Sequence, residues 1–139
     1  VAVNLVGFEH GLQSFTQQID KNAVAAVKFA GFTVLKEVVR HTPVDTGKLR
    51  ASWNISKNNQ DLGVSDYSAP KGTAKSVVKR TASAESLSGM QSISGLRLGD
   101  SIHVTNNIEY APYIELGTEA IAPAGMLQRA IAFLKEKIS

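Results

Sequence analysis

The chain has 139 residues and a mass of 14.9 kDa, enough for one domain with its own core and too short for two ordinary ones. It contains no cysteine, which excludes disulfide scaffolds, thiolate zinc sites, iron–sulfur ligation and a cysteine nucleophile. Fifteen basic residues against twelve acidic ones leave a formal charge of +3, a milder excess than a dedicated nucleic-acid binder of this size usually carries.

The first element is a long amphipathic helix, expected from about Gly11 to Arg40. Leu12, Phe15, Ile19, Ala23, Ala26, Ala30, Val34 and Val38 recur at spacings of three and four and form one apolar stripe. Gly31 lies inside the pattern and points to close packing or a bend. Lys36, Arg40 and His41 suit the C-terminal end of the helix dipole, and Pro43 forces the exit. Asp45-Thr46-Gly47 is a turn by composition. From Leu49 the period drops to two: Leu49, Ala51, Trp53 and Ile55 alternate with polar residues and predict a half-buried strand. Asn58 to Asp61 reads as a turn, with 62–67 the returning strand of a hairpin.

Between Ser68 and Gly99 the pattern dissolves into serine, glycine, alanine and lysine. A short helix at 74–87 would have only a thin apolar face, so residues 68–100 are expected to be an inserted flexible arm or loop within a single domain spanning 1–139. Order returns with a strand from Ile102 to Asn106. A compact aromatic segment from Ile108 to Leu116 follows, ended by Gly117. A last helix starts at about Ala124, with Leu127, Ala130, Ile131, Leu134 and Ile138 on one face. The expected class is therefore α+β: a long N-terminal helix packed on a small antiparallel sheet, a long central arm and a short C-terminal helix. No apolar run reaches the roughly 20 residues that span a bilayer, and the start lacks the basic region of a secretory signal, so a soluble protein without membrane contact is expected.

Motifs for catalysis are thin. Asp45-Thr46-Gly47 spells the aspartic-protease triplet, but charged flanks, Lys48 and Arg50 among them, would disturb a shared-proton pair of carboxylates, and a plain turn explains the triplet better. His10, His41 and His103 lie far apart without metal-ligand spacing. Neither a nucleophile elbow, a P-loop nor a dinucleotide-binding glycine pattern occurs. No enzyme, cofactor or metal is expected. Lys71, Lys75, Lys79 and Arg80 form a basic run with no acid among them, candidate contacts for DNA or a partner, though without aromatics for base stacking.

Specific residues then carry more than periodicity does. Thr42-Pro43-Val44-Asp45-Thr46-Gly47-Lys48-Leu49-Arg50-Ala51-Ser52-Trp53 resembles the signature of the neck or tail-completion proteins, a minor tail protein family of long-tailed double-stranded DNA bacteriophages. Tyr110-Ala111-Pro112-Tyr113-Ile114-Glu115-Leu116-Gly117-Thr118 resembles that family's second block. Val3 to Leu12, with Gly7-Phe8, and Pro123 to Ala130 resemble its two ends; the segment from Ser68 to Gly99 matches nothing in it. The resemblance implies a virion protein, assembled in the host cytoplasm, that forms a ring of identical copies at the head–tail junction. Its partners would be itself, head-closure or adaptor proteins and tail-terminator or tail-tube proteins, with DNA passing through the channel. Pro43, Asp45, Thr46, Gly47, Leu49, Arg50, Ser52, Trp53, Tyr110, Glu115, Gly117 and Thr118 would be architectural residues. Asp45 and Thr46 would fix the turn, and Arg50 would pair with Glu115 or Asp45. The other reading is a small basic module that contacts DNA.

Overall fold

A computed structural model describes the backbone of residues 5–138 and the side chains of 17–137 except 19. Helix α1 runs Leu5–Arg40, 36 residues and about 54 Å, beginning earlier than the apolar stripe suggested. Leu12, Phe15, Ile19 and His10 lie outside the described side chains. Of the stripe's described side chains only Val38 is buried; Ala23, Ala30 and Val34 are half-buried and Ala26 is exposed, while Leu35 and Val39, one position along from the stripe, are buried beside Val38. At Gly31 the sheet comes close: a Cβ there would sit 2.9 Å from Ile102 Cδ1 and 3.6 Å from Ile55 Cδ1.

The sheet is a single antiparallel pair, β1 (Trp53–Lys57) with β2 (Ile102–Asn106), in the register Ile55 opposite Val104. Trp53 and Ile55 face α1, joined by Ile93 and by Met126 and Ala130 of the last helix to make the core. Two expectations fail here. The stretch from Leu49 begins not as a strand but as a helical turn, α2 (Lys48–Ala51), closed by Ala51 N–H to Gly47 O at 2.9 Å. Leu49 and Ala51 are buried either way, which is why the two-residue period misled. Residues 62–67 are not the strand that pairs with β1. Hydrogen bonds to the carbonyls of Asp61 and Gly63 from Asn54 (to Gly63, 2.7 Å), Thr105 (to Asp61, 3.0 Å) and Asn107 (to Asp61, 2.7 Å) hold this stretch across the polar face of the sheet. The other edge of β1 is already engaged, because Ser92 Oγ donates to Ile55 O at 2.7 Å.

The segment expected as an arm carries helix α3 (Lys75–Leu87) and a 3-10 turn at Ser88–Ile93. Its apolar face is thin, as the sequence indicates, yet Val78, Ala82, Ile93 and Leu96 are buried. Small residues suffice because α3 lies close against the turn before α2. After β2 come α4 (Ala111–Leu116) and α5 (Met126–Ile138). Helix α5 lies along α1 and buries Met126 and Ala130, whereas Leu127 and Ile131, placed on its apolar face by periodicity, are 37% and 46% exposed.

Candidate functional site

The segment that exits α1 is built around Thr42, which is 1% exposed. Its N–H bonds Val39 O, so the carbonyl of Val38 needs another donor, and the Thr42 hydroxyl provides it at 2.5 Å. The same oxygen accepts the indole N–H of Trp53 at 2.7 Å and lies 3.2 Å from Met126 Sδ. A buried tryptophan needs an acceptor for its N–H, and here the acceptor ties together the end of α1, the start of β1 and the start of α5.

Arg50 closes the same helix end. Its Nε and Nη2 donate to Thr42 O at 3.2 and 2.8 Å, Nη2 reaches Arg40 O at 3.3 Å, and Nη1 reaches Ser83 Oγ of α3 at 3.4 Å. These are carbonyls that a helix C-terminus leaves without partners, where positive charge is also favoured. Partial burial draws the guanidinium below its ordinary pKa, and an arginine keeps its charge at neutral pH. Its partners are thus backbone carbonyls and a serine rather than Glu115 or Asp45.

Gly47 has φ 86°, and a Cβ on it would lie 2.7 Å from Tyr67 Cε1 and 2.9 Å from Val78 Cγ1. Only glycine both adopts that angle freely and lets α3 come this near. Thr46 Oγ1 accepts Lys48 N–H at 3.4 Å, and Thr46 O accepts Ala69 N–H at 2.8 Å, which pins the chain leading to α3. Asp45 is exposed and makes no hydrogen bond among the described residues. Ser52 is fully buried, and its Oγ accepts Ser65 N–H at 3.0 Å.

The second block joins α4 to α5. Glu115 Oε1 accepts Leu127 N–H at 2.5 Å, placing a carboxylate at the N-terminal end of α5, while its Oε2 is buried without a hydrogen bond. Ile114 O and Glu115 O accept the N–H groups of Ala124 and Gly125 at 2.9 and 3.2 Å. Gly117, φ 78°, faces the returning chain so closely that a Cβ would lie 2.7 Å from Pro123 N. Thr118 Oγ1 accepts Ala120 and Ile121 N–H at 3.2 and 3.1 Å and shapes the turn between the helices.

The two blocks meet in space. Leu49 packs with Ile108, Ala111 and Ile114, and Asn106 Nδ2 donates to Leu49 O at 2.8 Å. A cavity of about 430 Å³ between them is lined by residues 43–47, Leu49, Tyr110 and Ile114. Tyr110 and Tyr113 themselves are 47% and 63% exposed. Lys71, Lys75, Lys79 and Arg80 are exposed on the far side of Gly47, along α3 and the loop before it, with no ion pair among the described residues. Thr42, Asn106 and Met126 are the residues that sequence reasoning missed as a site. The signal was the lone tryptophan, whose N–H required a buried acceptor nearby.

Among the described residues no cluster of histidines, aspartates or glutamates could hold a metal ion. His41 Nε2 lies 3.3 Å from Glu37 Oε2 and His103 bonds Ser101 at 3.2 Å, each a local contact. What the two blocks do is architectural: they lock helix ends to one another and leave aromatic side chains at the surface. The chain belongs to the HK97-gp10-like family, described as "Bacteriophage HK97-gp10, putative tail-component", which matches residues 7–117 and so contains both blocks up to Gly117. Neither a curated relative nor a solved structure matches it. A tail component works through contacts with other head and tail proteins, and no described helix is long and apolar enough to cross a membrane.

Proposed function

We propose that this chain is a non-enzymatic subunit of the phage head–tail junction. It completes the tail or neck so that the DNA-filled head joins the tail, and it does so as a ring of identical copies around the DNA channel. Head-closure or adaptor proteins on one side and tail-terminator or tail-tube proteins on the other are its neighbours in the virion. The observation that carries this reading is the family match over residues 7–117. The geometry supports it: side chains whose sequence resembles neck proteins hold a rigid frame, while Tyr110, Tyr113, Leu116 and Ile121 stay exposed around α4. Clustered exposed apolar groups on a small domain mark interaction surfaces.

A phage carrying an amber or deletion allele is expected to accumulate filled heads and finished tails that do not join. Normal infectious particles from that phage would overturn the proposal. A second reading rests on the exposed, unpaired basic groups at 71, 75, 79 and 80: a small module that contacts DNA. It requires duplex binding that weakens steeply as salt rises, and absence of binding at low salt disposes of it.

A further inference from the structure

Two stretches of the chain carry charge of one sign each, the basic one lying between Asp66 and Glu85 and the acidic one between Arg97 and Arg129, with Glu109 and Glu119 its exposed carboxylates around α4. Residues 67–84 contain Lys71, Lys75, Lys79 and Arg80 and no acid, whereas residues 98–128 contain Asp100, Glu109, Glu115 and Glu119 and no lysine or arginine. Lys75 and Lys79 stand one helical turn apart on the exposed side of α3, whose other side, Val78 and Ala82, packs against Gly47. The acidic stretch includes α4 and its flanks, where Tyr110, Tyr113, Leu116 and Ile121 are 47%, 63%, 71% and 50% exposed. Among the described residues none of these lysines, Arg80, Glu109 or Glu119 has an ion-pair partner. Gly47 meets α3 and Leu49 meets α4, so the two charged surfaces flank the same short turn without neutralising each other.

We propose that the α4 surface is a docking face for a second copy of this chain, and that the second copy presents the basic side of its α3. Exposed aromatics supply the apolar centre of such a contact and the glutamates at 109 and 119 its charged rim, opposite lysine and arginine. Charge also dictates the symmetry. Pairing α4 with α4, or α3 with α3, sets like charges against each other, which costs association energy, so the contact is heterologous. Each copy then gives its basic face to one neighbour and its acidic face to the next, the arrangement from which a ring closes. The inference deepens the junction reading and rests on it for the expectation that copies sit side by side.

The test is a charge swap on the full chain, followed by sedimentation velocity at low and high salt. Lys75→Glu/Lys79→Glu/Arg80→Glu and Glu109→Lys/Glu119→Lys are each expected to weaken self-association at least about tenfold, while the parent's association falls with added salt. An equimolar mixture of the two variants is expected to reassemble, because each now offers the face the other lacks; that recovery also shows both are folded. Because the chain has no cysteine, a Lys79→Cys/Tyr113→Cys variant treated with a short bis-maleimide should give a ladder beyond dimer, and neither single cysteine should. The proposal is overturned by a parent that stays monomeric and uncross-linked at low salt, or by a mixture that stays monomeric. It is equally overturned if the α3 variant still self-associates and has lost only duplex-DNA binding. If the interface fails while the deletion phage still leaves heads and tails unjoined, the junction role survives alone. Rings from a chain whose deletion is harmless would remove the junction role and keep the interface.

Discussion

Replacing Thr42 by valine keeps the shape of the side chain and removes its hydroxyl. Two groups then lose their partner in a site where Thr42 and Trp53 are 1% and 3% exposed: the indole N–H and the carbonyl of Val38. Leaving a buried group unsatisfied costs about 1–3 kcal/mol, and the carbonyl, at a helix end, falls at the lower limit. The added methyl returns about 0.8 kcal/mol of apolar burial. The net destabilisation is therefore about 1–3 kcal/mol, a large share of the roughly 5–15 kcal/mol that holds a domain together. For a chain of this length each kcal/mol moves Tm by about 3–4 °C, so the melting point should fall by about 3–12 °C. Urea unfolding followed by circular dichroism measures the loss, and the cycle with Trp53→Phe isolates the hydrogen bond. Once the indole donor is gone, Thr42→Val should cost about 1–2 kcal/mol less than in the parent. A Thr42→Val chain within about 0.5 kcal/mol of the parent, or a cycle without coupling, refutes the view that this hydroxyl organises the core.

Arg50→Leu should cost about 1.5–3 kcal/mol in urea unfolding, because the charge-assisted bonds to Thr42 O and Arg40 O are lost together. Arg50→Lys should recover less than half of that, since one ammonium cannot reproduce the planar fork; equal stability of the two would show that charge alone matters. Gly117→Ala combines a φ of 78° with a Cβ 2.7 Å from Pro123 N and should cost about 2–4 kcal/mol. Gly72→Ala, at φ 90° with nothing within 4 Å, should cost only about 1–2 kcal/mol. Matching thermal melts for the two alanine variants would rule out close approach as the reason for glycine at 117.

Helix α1, strand β2 and the turn at Gly47 were legible because each depends on neighbours in sequence: a 3.6-residue stripe, an alternation, a glycine after Asp-Thr. What escaped depends on partners far along the chain. Strand β1 pairs with residues 102–106 rather than with the nearby 62–67, and nothing in either stretch signals that the far edge is filled by Ser92. Helix α3 looked too poor in apolar residues to dock, yet Val78 and Ala82 suffice where they meet a glycine. Arg50 invites a search for a carboxylate, whereas its partners are backbone carbonyls, which every residue has and no sequence pattern advertises. The resemblance located both architectural blocks; that they share one packing surface through Leu49 and Ile114 emerged only in three dimensions.

The three-way contact at Thr42 also has a consequence in time. Two of its members, Val38 and Trp53, emerge from the ribosome close together, but Met126 is made 84 residues after Thr42. On a nascent chain the core around the end of α1 therefore stays open on one side until α5 has been synthesised. Truncated products of translation that lack this last helix would carry both blocks yet leave the centre unfilled.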